Sequence, residues 1–366
     1  MSIEPMVSVI IPTYNRSALL PAALGSALAQ TLAEVEVIVI DDGSTDDTRE
    51  VIAPFLDRIR YLESDHGGPA HARNVGLRAS AGRYIAFLDS DDRYLPDKLE
   101  LQVAFMEAFP EVGMVSTEVS AFTDDGVLEE YHLQSYHGIY RRLGLSYDDI
   151  YSESGTFPWK ESEEEVQFFL GDVFRHVLRG TLIMSNTILF RREVLEKVGL
   201  QNETYLYAQE YEFVVRICKH FRVAFLNRPT YLIRYHPGQH SGYQGIPQPG
   251  GESSRATFKK ETLRSIQAER VCLHAVLDWG CDDPVYYERN RDWLDRRVAE
   301  LYHYIGEMWL SIGEYKNARE SFRKGHSHDP TWSRNRRSLG WSYCPNILRR
   351  VIHGAITRVR RGIPRA

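Results

Sequence analysis

Over its first hundred residues the chain alternates short apolar runs with stretches of helical period, and a polar cluster closes several of the runs. Residues 7–11, Val-Ser-Val-Ile-Ile, predict a strand stopped by Pro12. Residues 35–40, 59–62 and 84–88 predict three more strands, with helices over 19–30, 47–56 and 69–79 between them. Strands and helices in this rhythm predict an α/β fold around a mostly parallel sheet. Such sheets bind ligands beyond the carboxyl ends of their strands. Three clusters fall at those ends: Thr13-Tyr14-Asn15-Arg16, Asp41-Asp42-Gly43-Ser44 and Asp89-Ser90-Asp91-Asp92.

The third cluster is the most specific chemically. Carboxylates crowded at one strand end repel each other unless a cation holds them. Hard oxygen donors of this kind suit Mg²⁺ or Mn²⁺, which leave positions open for substrate phosphates. A plain solvated turn is the other reading, since Asp and Ser favour turns. Neither Gly-x-Gly-x-x-Gly nor Gly-x4-Gly-Lys-Ser/Thr follows a predicted strand, which argues against a dinucleotide fold and a phosphate loop. Phosphates must then be met by a metal and by basic side chains such as Arg73.

At 366 residues, 43% of them hydrophobic and 26% charged, the chain is of ordinary globular composition and has room for two domains. The start, Met1-Ser2-Ile3-Glu4-Pro5, carries neither a basic nor an apolar leader region, so no signal peptide is expected. Four scattered cysteines without a Cys-x-x-Cys pair speak against a zinc site or a disulfide framework and fit a reducing, cytoplasmic compartment. The net charge of −6 is uneven, because residues 331–366 hold nine arginines and no acid. A basic tail on an acidic body points to an anionic partner.

The runs Val-Ser-Val-Ile-Ile-Pro-Thr-Tyr-Asn at 7–15, Asp-Asp-Gly-Ser-Thr-Asp at 41–46, Ala72-Arg73-Asn74 and Phe-Leu-Asp-Ser-Asp-Asp at 87–92 together resemble the family 2 glycosyltransferases, over residues 6–242. The resemblance implies a GT-A nucleotide-diphospho-sugar fold and inverting transfer of a sugar. It implies that Pro12, Thr13 and Tyr14 line the nucleobase and ribose and that Asp42 accepts the imide N–H of the base. Arg73 is then the diphosphate arginine, Asp91 the direct metal ligand, and Asp89 lies nearer the ribose or a water beyond the metal's direct ligands. A segment like the family's Tyr-Arg-x-His stands at 231–241 and offers His236 to the metal or diphosphate. The implied donor is a nucleotide sugar, a UDP-sugar first of all, and the implied acceptor a glycan or lipid-linked hydroxyl; no nucleic-acid partner is expected.

The catalytic base is expected on a helix near residue 210. Where the family carries Glu-Asp-x-Glu/Asp-Leu-x-x-Arg, this chain has Gln209-Glu210-Tyr211-Glu212-Phe213-Val214-Val215-Arg216, a departure at the first two positions. Glu210 heads an apolar stripe with Phe213, Val214, Ile217 and Phe221, whereas Glu212 lies off it and can pair with Arg216. Glu210 is therefore the expected base. If the longer side chain cannot reach, the chain is a nucleotide-sugar-binding scaffold that uses its helical region to dock partners.

Residues 120–180 look irregular and acceptor-shaping, and Ser162 with Glu165 fits a capping box opening a helix over 166–170. Domains are expected at 1–250, a GT-A domain, and 251–332, a helical region with one tetratricopeptide-like repeat at about 299–332. A basic amphipathic tail at 333–366 can lie on the inner face of an anionic membrane or pack on the protein.

Overall fold

The computed structural model describes residues 5–160, 165–236 and 255–343. The chain divides into two compact units, residues 1–247 and 248–366. Among the described residues the first unit holds one mixed sheet of eleven strands: β1 (Val7–Thr13), β2 (Val35–Asp41), β3 (Arg60–Glu63), β4 (Tyr84–Phe87), β5 (Arg93–Tyr94), β6 (Val112–Thr123), β7 (Gly126–Glu129), β8 (Glu153–Pro158), β9 (Glu165–Gly171), β10 (Leu189–Arg191) and β11 (Arg222–Arg234). Their order is β3-β2-β1-β4-β10-β6-β11-β9-β8, with β5 against β11 and β7 against β6.

The first four strands are parallel. Val7, Val9, Ile10 and Ile11 are fully buried, as a strand covered on both faces requires. The chain runs outward from β1 through β2 to β3, then returns to place β4 on the other side of β1. That reversal opens a crevice beyond the ends of β1 and β4, the usual ligand position in such sheets. β10 joins this half antiparallel, and β6 and β11 continue the sheet as a parallel pair.

Pro12 does not stop the first strand. β1 runs to Thr13, but its pairing with β4 ends at Ile10, so Pro12 faces a strand on one side only. A residue without an N–H is tolerated there. Nor do residues 166–170 form a helix: they lie in β9, paired with β8 and β11. Val166 and Phe169 are buried, with Phe169 packed on Tyr147, Tyr151 and Phe225 and Phe168 on Phe105 from the other face, and tertiary pairing outweighs the local capping pattern. Ser162 lies outside the described residues.

The helix Pro69–Ala79 begins after Gly68 at φ 87°, with proline at its first turn. It sits hard on the sheet. A Cβ at Gly76 would stand 2.5 Å from Ile10 and 2.8 Å from Ile40. Arg73 lies one turn before Gly76 and is held at the same depth, 3% exposed.

The second unit is helical: Arg255–Ala275, a π segment Val276–Cys281, Pro284–Ser311, Tyr315–His328 and Ser333–Ser342. Asp283 caps the third segment through the Tyr286 amide, 3.0 Å away, with Pro284 following. The pair Pro284–Ser311 and Tyr315–His328 turns at Gly313, φ 83°, and crosses where Gly306 lies against the Phe322 ring. Buried Asn335 donates to the Phe322 carbonyl at 2.8 Å and so ties the last helix to this pair. No helix among the described residues is long and apolar enough to cross a membrane. The expected tail is described only as far as residue 343.

Candidate active site

The crevice has two ends. At one, Thr13 closes β1; its carbonyl accepts from the Asp42 amide at 2.9 Å, and its Oγ1 is buried without a partner. Pro12 is half-buried just inside the strand, and Tyr14 beyond it is exposed. Asn15, at φ 51°, ties the β1 loop to the β2 loop: its amide donates to Ser44 Oγ at 2.9 Å and its Oδ1 accepts from the Thr45 amide at 2.7 Å. Such a conformation is rare outside glycine and recurs at functional sites. Asp46 adds a second tie, accepting from the Ser17 amide at 3.0 Å and from Thr48. Although the side chain is exposed, the slight desolvation it feels works against its charge; the hydrogen bonds from Thr48 and Ser17 win and hold its carboxyl at about 2.

The adjacent aspartates divide their work. Asp41 is held within the protein, by the Ser44 amide at 2.7 Å and the Tyr61 hydroxyl at 2.6 Å. Asp42, 4% exposed, accepts from the amides of Gly67 at 2.9 Å and Gly68 at 2.8 Å. His66 Nδ1 approaches its Oδ2 at 3.0 Å, and the His66 ring stacks on Tyr14 with centroids 4.2 Å apart.

At the other end Arg73 is a bridge. Its Nη2 donates to Asp89 Oδ1 at 2.8 Å and its Nη1 to Glu210 Oε1 at 2.6 Å. Burial alone would depress its pKa, but Glu210 and Asp89 more than reverse this and raise it. Both terminal nitrogens of Arg73 thus rest on carboxylates, and its Nε is buried without a hydrogen-bond partner. Asp89 is fixed from its other oxygen by Asn186 Nδ2 at 2.5 Å. Asn186 is itself placed from below: the next residue's carbonyl, Thr187 O, accepts from Lys98 Nζ at 3.0 Å and Gln102 Nε2 at 2.8 Å. Lys98 is fully buried, and burial drives its pKa well down.

Asp91 faces Arg16 Nε at 3.6 Å and His236 Nε2 at 3.2 Å, so the β11 end meets the β4 end. Asp92 is spoken for, accepting from the Tyr231 hydroxyl at 2.7 Å and the Arg234 amide at 2.8 Å. Burial, and then the charges of Asp91 and Asp89, push its pKa well above the carboxylate range. Oxygens of Asp89, Asp91 and Asp92 lie within 4.8 Å of one another. Three carboxylates that close, one of them strained toward neutrality and with an imidazole alongside, form a donor set that fits a hard divalent cation.

Glu210 sits in the first turn of the helix Gln209–His220, where the helix dipole favours a negative charge. Its preceding residue but one, Ala208, is held at φ 55°. Glu212 is buried, not merely off the stripe, and pairs with Arg216 Nε at 2.8 Å. This helix is enclosed on most sides, so an apolar stripe could not separate inner from outer positions; the ion pair with Arg73 does. The crevice thus gathers Thr13, Asp42, Arg73, Asp89, Asp91, Glu210 and His236. Asn186 and His66 were not anticipated: they are single polar residues between the main elements, with no spacing to mark them, whereas Arg234 stood in the Tyr-Arg-x-His-like segment without a role. Arg16 stood in a cluster already singled out, though without a role.

A profile described as "Glycosyl transferase family 2" matches residues 8–199. An uncharacterized glycosyltransferase of Rickettsia felis is 52% identical over 106 residues, which cover 28% of this chain and 18% of that protein. The Escherichia coli protein named UDP-Glc:alpha-D-GlcNAc-diphosphoundecaprenol beta-1,3-glucosyltransferase WfgD is 45% identical over 103 residues, 28% of this chain and 41% of the relative. The chain thus spans well under two thirds of the length of these relatives. Among solved structures, S. aureus TarS 1-349 in complex with UDP superposes with a TM-score of 0.54 at 17% identity, covering 92% of this chain and 88% of the other. That likeness is one of fold.

Proposed function

The chain belongs to glycosyl transferase family 2, and from that premise we propose that it transfers a sugar, with inversion, from a nucleotide-diphosphate donor to a hydroxyl of a glycan or lipid-linked acceptor. A UDP-sugar is the first choice of donor. The donor and acceptor named for the E. coli relative support that class, and so does an acidic Asp42 able to accept an imide N–H. The observation that carries the proposal is the Arg73 bridge, which joins a base candidate and a metal-site carboxylate through one side chain.

Pro12, Thr13 and Tyr14 hold the nucleoside. Asp91, with His236 and Asp89, would hold Mg²⁺ or Mn²⁺, whose chemistry is to neutralise the diphosphate as it leaves. Arg16 adds positive charge beside Asp91. Arg73 takes the role of a positioning residue: it fixes Glu210 Oε1, leaving Oε2 for the acceptor. The acceptor oxygen attacks the anomeric carbon, the bond from that carbon to the diphosphate oxygen breaks on the opposite face, and the hydroxyl proton passes to Glu210. Residues 1–250 carry this chemistry. The helical region 251–332 forms a unit of its own, and the basic tail 333–366 suits contact with an anionic membrane face.

Turnover of UDP-sugars with Mn²⁺, read as UDP release, tests the proposal. Glu210→Gln should lower it by about 10²–10⁴-fold while UDP affinity stays within about twofold. A product that keeps the donor's anomeric configuration would contradict inversion. The Gln209-Glu210 departure favours one rival, a binding scaffold without catalysis. Tight UDP binding with no turnover on any acceptor would establish that rival.

A further inference from the structure

The nucleobase end holds a side chain that makes both contacts expected of a base. The His66 ring stacks on Tyr14, with centroids 4.2 Å apart and planes 28° from parallel. Its Nδ1 lies 3.0 Å from Asp42 Oδ2 and 3.0 Å from the Asp42 carbonyl oxygen. Both neighbours are acceptors only, so Nδ1 must carry a hydrogen and donate it. A flat ring on Tyr14 with a ring N–H on Asp42 is what uracil, thymine or guanine would present to this site. We infer that His66 is a resident mimic of the nucleobase, competing with the donor for Tyr14 and Asp42. The inference rests on the proposed nucleotide-sugar function and deepens it.

The surroundings make the mimic displaceable. The His66 side chain is 57% exposed and Tyr14 41%, so the imidazole can swing into solvent without disturbing the core. Asp42 does not move with it, because the Gly67 and Gly68 amides hold both carboxylate oxygens. Gly68 at φ 87° and Gly43 at φ 80° shape the two loops so that these amides converge. A base that enters therefore meets a fixed acceptor, and only one with an N–H at that position regains what the imidazole gives up. Cytosine presents a ring acceptor there and would oppose the carboxylate. His66 thus raises the threshold for every base that enters, while the choice between bases rests with Asp42.

The test is calorimetric titration of UDP and CDP, with Mn²⁺, into the full chain and its His66→Ala and His66→Ser variants. Removing a competitor that occupies the site most of the time should tighten UDP binding on the order of tenfold, because apparent affinity scales with the competent fraction. CDP, which must displace the same imidazole, should gain by a similar factor and remain the weaker ligand. Without nucleotide the variants should melt lower than the parent, since they lose the stack and the hydrogen bond. A residue with only a structural role would lower stability and UDP affinity together. UDP binding that weakens or stays the same in both variants overturns the inference. If the parent binds UDP and Asp42→Ala does not, the nucleotide-sugar reading stands whatever His66 does. If neither the parent nor the His66 variants bind UDP, both fall.

Discussion

A buried guanidinium with a carboxylate at each end is stable only as a set. Arg73 is 3% exposed, and without Asp89 and Glu210 its charge would carry a desolvation cost of several kcal/mol. The bridge also needs a planar fork, since Nη1 and Nη2 reach different acids. An ammonium is a single point and cannot span them. Arg73→Lys should therefore reduce turnover by roughly 10–100-fold through misplacement of Glu210, with donor affinity changed by less than about threefold. Steady-state kinetics separate the two: a loss confined to KM would return Arg73 to diphosphate binding.

Packing of one helix on the sheet sets the depth of that bridge. Gly76 stands where any side chain would strike Ile10 and Ile40, and Arg73 is carried on the same helix. Gly76→Val should cost about 1–3 kcal/mol by overpacking, read as a lowered urea midpoint, and should depress turnover further than its stability loss accounts for. The elements themselves were largely legible. Alternating apolar runs and helical periods locate β1, β2 and β4, because strands buried on both faces leave an unmistakable apolar record, while β3, at the sheet edge with no buried residue, is located by its place in the rhythm. Pro12 and residues 166–170 misled for one reason. What each does depends on which strand lies beside it, and neither the end of the β4 pairing nor the β8–β9–β11 ladder is written locally. The motif residues Asp42, Arg73, Asp89 and Asp91 could be picked out by type, but not their partners. That Arg73 turns toward Glu210, 137 positions away, is decided only by the closed fold.

At the scale of the molecule, stability should depend on pH through enclosed histidines of the first unit. Burial, with His132 nearby, lowers the His137 pKa from 6.5 to about 4, and burial with neighbouring arginines lowers that of His176. A depressed folded-state pKa gives stability that is complete above the unfolded value and is lost as the unfolded chain takes up protons. The urea midpoint should accordingly fall between pH 6.5 and pH 4, and His137→Phe should flatten that fall; a slope unchanged by the substitution would show that His137 is not its source.

The account as a whole turns on the cluster at the end of β4, where Asp89, Asp91 and Asp92 converge beside His236. The direct measurement is the calorimetric affinity of UDP in Mn²⁺ and in chelator, for the parent chain and Asp91→Asn. The account predicts at least about a tenfold loss in chelator, roughly 1.4 kcal/mol, and an Asp91→Asn protein indifferent to the metal. Equal affinity with and without metal, or a metal response that survives in Asp91→Asn, would contradict it.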